Sequence, residues 1–110
     1  MQYPTEIVGN AAAVQLRVVK TGCCRLLAVV GMNNGTGVDP LFVQIHETAA
    51  EPAANAVPRF HFPIDANRPF SFALPTAVDL SACTIVVSSV LGTYTAAAGT
   101  PASIQAILRA

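Results

Sequence analysis

Charge is what this sequence has least of. Asp, Glu, Lys and Arg make up 11% of its 110 residues, and six basic residues balance six acidic ones to a net charge of zero. An ordinary soluble domain carries about 25%. Only Arg17 and Lys20 lie close together on one strand-like segment. Without a basic stripe to neutralise successive phosphates, nucleic acid is not an expected partner. Tryptophan is absent and aromatic residues are 6%, which leaves few rings for a glycan-binding surface. Long apolar runs are missing too. The longest, Leu26 to Val30, falls far short of the roughly 20 residues that cross a bilayer, so no membrane partner is expected. Met1 to Asn10 lacks the basic start and apolar middle of a signal peptide, so synthesis in a cytoplasm is expected.

Cysteine is scarce and oddly placed. Cys23, Cys24 and Cys83 cannot all pair internally, and adjacent cysteines match no zinc spacing. Buried free thiols act as small hydrophobes. The alternative is a bridge from Cys23 or Cys24 to Cys83.

What is abundant is apolar. Hydrophobic residues are 53% and mean hydropathy is +0.52, much of it alanine. One small domain cannot hide that much apolar surface, so a homo-oligomer or a place in a larger assembly is expected. Helical periodicity is not found anywhere convincing. The stretch Cys83 to Thr95 organises the chain: its first half, Ile85, Val86 and Val87 with two serines and Val90 behind them, reads as a central strand with both faces covered. Val14, Leu16 and Val18 alternate with Gln15 and Arg17 as one half-buried strand, and Cys23 to Met32 forms a second. Asn34-Gly35 is a hairpin signal. Leu41 to His46, Arg59 to Ile64, Phe70 to Leu74 and Ser103 to Leu108 read as further strands, with Pro63 placing its strand at a sheet edge. Thr93 to Thr95 restarts a strand-like pattern after Gly92. Thr48 to Pro58 is a loop, since Pro52 would break a helix there. The expected fold is all-β: residues 1–10 an N-terminal arm, and residues 11–110 a single antiparallel β-sandwich, Ig-like or jelly-roll-like, of roughly seven to nine short strands.

Chemistry is thin. His46, Glu47 and His61 are the candidates for acid–base or metal work, with Asp65 or Cys24 as further ligands if the strands carrying the histidines pair. Strand-surface histidines explain the same residues without function. Ser88-Ser89 lacks the G-x-S-x-G elbow of a presented nucleophile. Gly35-Thr36-Gly37 lacks the third glycine and following helix of a phosphate cradle. Asn34-Gly35-Thr36 is formally a glycosylation sequon, read here as turn chemistry. Phe60, Phe62, Phe70 and Phe72 are spaced for core packing between two strands. No catalytic, metal or cofactor site is expected, and the chain does not read as an enzyme.

The Asn33-Asn34-Gly35 turn, the stretch FVQIHETAAEPAANAVPRFHFPI, the Phe70 to Phe72 strand and the stretch TIVVSSVLGTYTAA together resemble a group of small tailed-bacteriophage virion proteins. In that group a strand ends in a short motif matched here by Gln44 to Ala49. A proline-bounded loop follows, matched at Pro58, and an apolar strand with a tyrosine-containing tail, matched by Ile85 to Ala97. The resemblance spans Ala28 to Ala98. The chain departs from it at Cys83-Thr84, where the group carries a glycine. It brings no catalytic residues. It implies a virion structural protein, a decoration or cement subunit that binds the major capsid protein or other virion proteins and stabilises the assembled head. A tail or fibre module recognising a host glycan or protein is the alternative, with Tyr3 and Tyr94 as its exposed rings. The arm Met1 to Asn10 and the loop Thr48 to Pro58 are the expected contacts with neighbours, and removing the arm is expected to leave the fold intact.

Overall fold

The protein is an all-β sandwich. A computed structural model describes residues 5–34, 41–99 and 101–109, which form eight strands and no helix. In chain order these are β1 (Thr5–Val14), β2 (Leu16–Lys20), β3 (Cys24–Asn33), β4 (Leu41–His46), β5 (Phe60–Ile64), β6 (Pro69–Leu80), β7 (Cys83–Ser88) and β8 (Ala102–Arg109). The antiparallel pairs β1·β8, β2·β7, β3·β6 and β4·β5 describe one long two-stranded ribbon that turns back between β4 and β5. Two further pairings, β3·β8 and β4·β7, roll that ribbon into sheets of order β1-β8-β3-β6 and β2-β7-β4-β5. This is the jelly-roll order, one of the two sandwich types that the strand pattern allows.

The core lies between the sheets. Leu26, Val29 and Ile104 meet Val43, Ile45, Ile85 and Val87, all fully buried. Burying each such side chain contributes about 1.5–3 kcal/mol. Every residue of β7 is buried, as its composition predicts for a strand covered on both faces.

Four details depart from simple alternation. Val14 to Val18 is not one strand: the chain bends at Gln15 and crosses from one sheet to the other, so Val14 pairs with Ala102 while Leu16 pairs with Val86. In β3, Leu26 and Val29 are both buried although three residues apart, because the register shifts between Leu26 and Ala28 and turns the strand over. The segment expected to restart as a strand around Tyr94 makes only an isolated bridge, Ser88 to Ala96. The strands that flank Asn34-Gly35, β3 and β4, belong to different sheets and do not pair with each other. Gly35-Thr36-Gly37 and Asp39-Pro40 lie outside the described residues.

Met1 to Pro4 of the expected arm lie outside the described residues. From Thr5 to Asn10 it is strand, paired residue by residue with β8 from Thr5↔Arg109 to Asn10↔Ile104. Ladder hydrogen bonds and the packing of Val8 against the core hold it. Removing this segment would strip a strand from a four-stranded sheet, so the fold is not expected to survive that truncation unchanged. Pro63 sits on an edge strand as expected. Pro75 is accommodated in β6, another edge, where the register jumps from Leu26↔Val78 to Ala28↔Ala73.

Candidate functional site

The outer face of the β2-β7-β4-β5 sheet carries Gln44 and His46 from β4, and Thr84 and Ser88 from β7, all buried. Adjacent residues on a strand point to opposite faces. Val43 and Ile45 therefore enter the core while Gln44 and His46 point outward. Two loops cover them. Residues 47–59 and 89–99 are clasped to each other by Tyr94 N–H donating to the Ala56 carbonyl and Asn55 N–H donating to the Tyr94 carbonyl, both at 2.8 Å. Asn55 holds a φ of 67° to make that turn, a left-handed conformation that asparagine tolerates better than most residues.

Beneath the clasp lies a connected polar layer. The Gln44 side-chain amide donates to the Val90 carbonyl at 3.0 Å and the Thr93 carbonyl at 2.8 Å. Both amide protons are thereby committed, so its oxygen is the acceptor facing His46 Nε2 at 2.9 Å. His46 is consequently the Nε2–H tautomer. Its ring meets Tyr94 edge-on with centroids 5.8 Å apart. Tyr94 donates its hydroxyl to Glu51 at 2.6 Å and accepts from the Gln15 amide at 3.2 Å. Gln15 also donates to the Val87 carbonyl at 2.9 Å. Ser88 Oγ lies 2.9 Å from the Val90 carbonyl and 3.2 Å from that of Thr93, and accepts the N–H groups of Val90 and Thr95, each at 3.1 Å.

Among the described residues no buried side-chain polar atom lacks a partner. A nucleophile needs a free lone pair and a base; Ser88 has neither to spare. The layer's chemistry is that of a fastener for two loops.

His61 lies opposite Gln44 in the β4·β5 ladder, on the same face as His46, but it is exposed while His46 is buried. Glu47 turns instead to Arg59 at 2.9 Å and to the Ser81 N–H at 2.8 Å. Cys24 stands in the other sheet. No group of three or more His, Cys, Asp and Glu among the described residues could hold a metal ion. Tyr94, expected as an exposed ring, is buried at 3% exposure, because the loop clasp folds it onto His46. Tyr3 lies outside the described residues. The phenylalanines pack as expected: Phe62 stacks on Phe72 at 4.7 Å and tilts against Phe70 at 5.9 Å, closing the seam between β5 and β6.

Burial lowers the pKa of His46 below its ordinary 6.5. The Ser81 backbone N–H, aided by Arg59, lowers that of exposed Glu47 below 4.5. Groups whose folded pKa is depressed contribute stability that is present above the unfolded pKa and lost as pH falls through the folded one. Stability is therefore expected to be level near pH 7, to decline as pH drops below 6.5 when His46 charges in the unfolded chain, and to decline further below 4.5. Urea midpoints measured from pH 8 to pH 4 check this, and His46→Gln should flatten the portion of the curve nearest 6.5. A midpoint that rises on acidification would contradict it.

At one end of the sandwich, where β3 and β7 begin and β2, β6 and β8 end, an open cleft of about 650 Å³ is lined by Lys20, Cys23, Cys24, Arg25, Asp79 and Arg109, among others. Ion pairs brace its rim: Lys20 with Glu6 at 2.9 Å, Arg25 with Asp79 at 2.7 Å. Both are solvent-exposed pairs, which contribute little to stability.

Comparison with known proteins adds little. No family model matches the chain, and no curated protein matches it. A solved structure described as "Crystal structure of PirA" is similar across 100% of this chain and 95% of its own, at 12% identity and a TM-score of 0.35.

Proposed function

We propose that this chain is a non-enzymatic structural subunit of a bacteriophage virion, a decoration or cement protein that binds the assembled head beside copies of itself. The observation that carries this reading is the character of one sheet edge. The sandwich has four edges, β1, β6, β2 and β5. β5 is short and contains Pro63, β2 is short and contains Arg17 and Lys20, and β6 contains Pro69, Pro75 and Asp79. Those are the devices that stop an edge pairing with another chain. From Thr5 to Asn10, β1 has neither proline nor lysine, one acidic residue, Glu6, and an isoleucine, Ile7, that is 64% exposed. Such an edge invites a strand from a neighbour.

The charge-poor composition and the resemblance of Ala28 to Ala98 to small tailed-phage virion proteins support the same reading. Jelly rolls also build viral capsid domains, although a fold of this kind serves other functions. A subunit that binds only the assembled shell stabilises it by mass action. The saturated hydrogen bonding of Ser88 supports a role without catalysis. The fibre or tail alternative loses one of its two rings with Tyr94 buried.

Quantitative mass spectrometry of purified particles tests the proposal. Hundreds of copies in fixed ratio to the major shell protein are expected; a handful would move the chain to a tail or fibre, and absence would end the virion reading. On the purified protein, Ile7→Lys is expected to weaken attachment to shells at least about tenfold by placing a charge on the pairing edge. Its thermal midpoint should stay within a few degrees, since the side chain is exposed. Unchanged attachment would remove β1 from the interface.

A further inference from the structure

Cys24 opens β3 in one sheet and Cys83 opens β7 in the other. Cys83 is fully buried within the core cluster, and Cys24, half-buried, packs against that cluster. The two thiols are neighbours at this end of the sandwich, each near enough to influence the other's titration. Cys24 also lines the open cleft, with Lys20 on the same wall. Cys23, its chain neighbour, is exposed. The site thus combines a reachable sulfur, a cation beside it, and a second sulfur behind it that solvent does not reach.

We propose that Cys24 and Cys83 form a thiol-modification site that reacts with a low-molecular-weight disulfide and closes into a bond joining the two sheets. In the first step the Cys24 thiolate attacks one sulfur of RS–SR from the cleft. The Cys24–SR bond forms, the RS–SR bond breaks, and the departing RS⁻ takes up a proton. In the second step Cys83 gives its proton to solvent base and attacks the Cys24 sulfur, forming the Cys24–Cys83 bond and releasing the second RS⁻. The protein loses two protons and two electrons, and the small disulfide is reduced to two RSH.

The order follows from burial, because Cys83 has no exposure through which RS–SR could reach it. Burial also pushes the Cys83 thiol up to about 12 and raises that of Cys24, against the opposing pull of Lys20. Thiolate is the attacking species, so closure is slow at neutral pH and accelerates as pH rises. Between the alternatives that the sequence leaves open, a bridge from Cys23 or from Cys24, the packing selects Cys24.

The test uses the full chain with oxidised glutathione as the probe, at pH 7 and pH 9, followed by alkylation of remaining thiols and intact and peptide mass analysis. The wild-type chain and Cys23→Ser are expected to lose about 2 Da and to yield a peptide linking residues 24 and 83. The rate should be at least about tenfold greater at pH 9 than at pH 7. Bridging a loop of about 60 residues should raise the thermal midpoint by about 10 °C or more, reversibly with dithiothreitol. Cys24→Ser, a change at a half-exposed position that leaves the core intact, should abolish the 2 Da loss. A stable glutathione adduct on Cys24 that never resolves would overturn the proposal, as would a bridge that uses Cys23.

Discussion

Replacing Gly31 by alanine should lower stability by about 3 kcal/mol and the thermal midpoint by about 15 °C. Gly31 lies in β3 with Ile104 of β8 on one side and Phe70 of β6 on the other. A Cβ there would overlap the Ser103 carbonyl oxygen and lie 2.6 Å from Phe70 Cζ. Neither neighbour can yield easily. Ser103 belongs to the ladder through its pairing with Met32 and receives the Met32 N–H on its hydroxyl at 3.0 Å. Phe70 is held against Phe62. Sheet and seam would have to shift together, which is what makes overpacking at a β-sheet centre costly. Gly22→Ala is the control, because nothing lies within 4 Å of a Cβ at that position, and it should change stability by less than about 0.5 kcal/mol. Urea denaturation of both variants decides the matter; equal midpoints would mean that the close approach at Gly31 is not a constraint.

That constraint is invisible to periodicity, and so is much else that matters here. Alternation in Leu41 to His46, Phe70 to Leu74 and Ser103 to Leu108 reports that one face of a strand is buried, and it places those strands well. It does not report which sheet a strand joins. The chain passes from one sheet to the other at Gln15 without breaking the apolar series Val14, Leu16, Val18, so the sequence reads as one strand where there are two. A bulge at Leu27 likewise leaves the composition of β3 unchanged while reversing its faces. The pairing of β1 with β8, from one end of the chain to the other, leaves no local trace, which is why Met1 to Asn10 reads as an arm and why periodicity does not single out the jelly-roll order. The candidate site shows the same limit. His46 stands out by residue type, whereas Gln44, Gln15 and Glu51 look like ordinary polar residues. Only the return of residues 89–99 over the sheet brings them together with Tyr94. An amide flanked by Val43 and Ile45 in a strand otherwise bound for burial was the one available hint: polar side chains on a covered face need partners.

Gln44→Leu tests whether that polar layer fastens the loops. Leucine matches glutamine closely in size, so the change removes hydrogen bonds without opening a large cavity. Three groups lose Gln44 as a partner at once: the Val90 and Thr93 carbonyls and the Nε2–H of His46. Ser88 Oγ can donate its single proton to only one of the two carbonyls. At least two groups are therefore left unpaired where Gln44 is now fully buried. Each costs about 1–3 kcal/mol if it stays dry, so a loss of about 3 kcal/mol is expected unless the loop lifts to admit water. Lifting is itself measurable. Amide hydrogen exchange at Asn55 and Tyr94, whose N–H groups close the clasp, should quicken at least about tenfold more than exchange at Ile104 in the core. Global destabilisation alone would speed all three alike, while unchanged exchange and an unchanged urea midpoint would show that Gln44 does not hold the loops. If the loops are loosened selectively, the variant also separates two contributions to assembly. It would disturb Val57, Val90 and Leu91, which these loops carry at high exposure, while leaving the Thr5 to Asn10 edge in place. Attachment that survives Gln44→Leu but not Ile7→Lys would assign the contact to the sheet edge; the reverse would assign it to the loops.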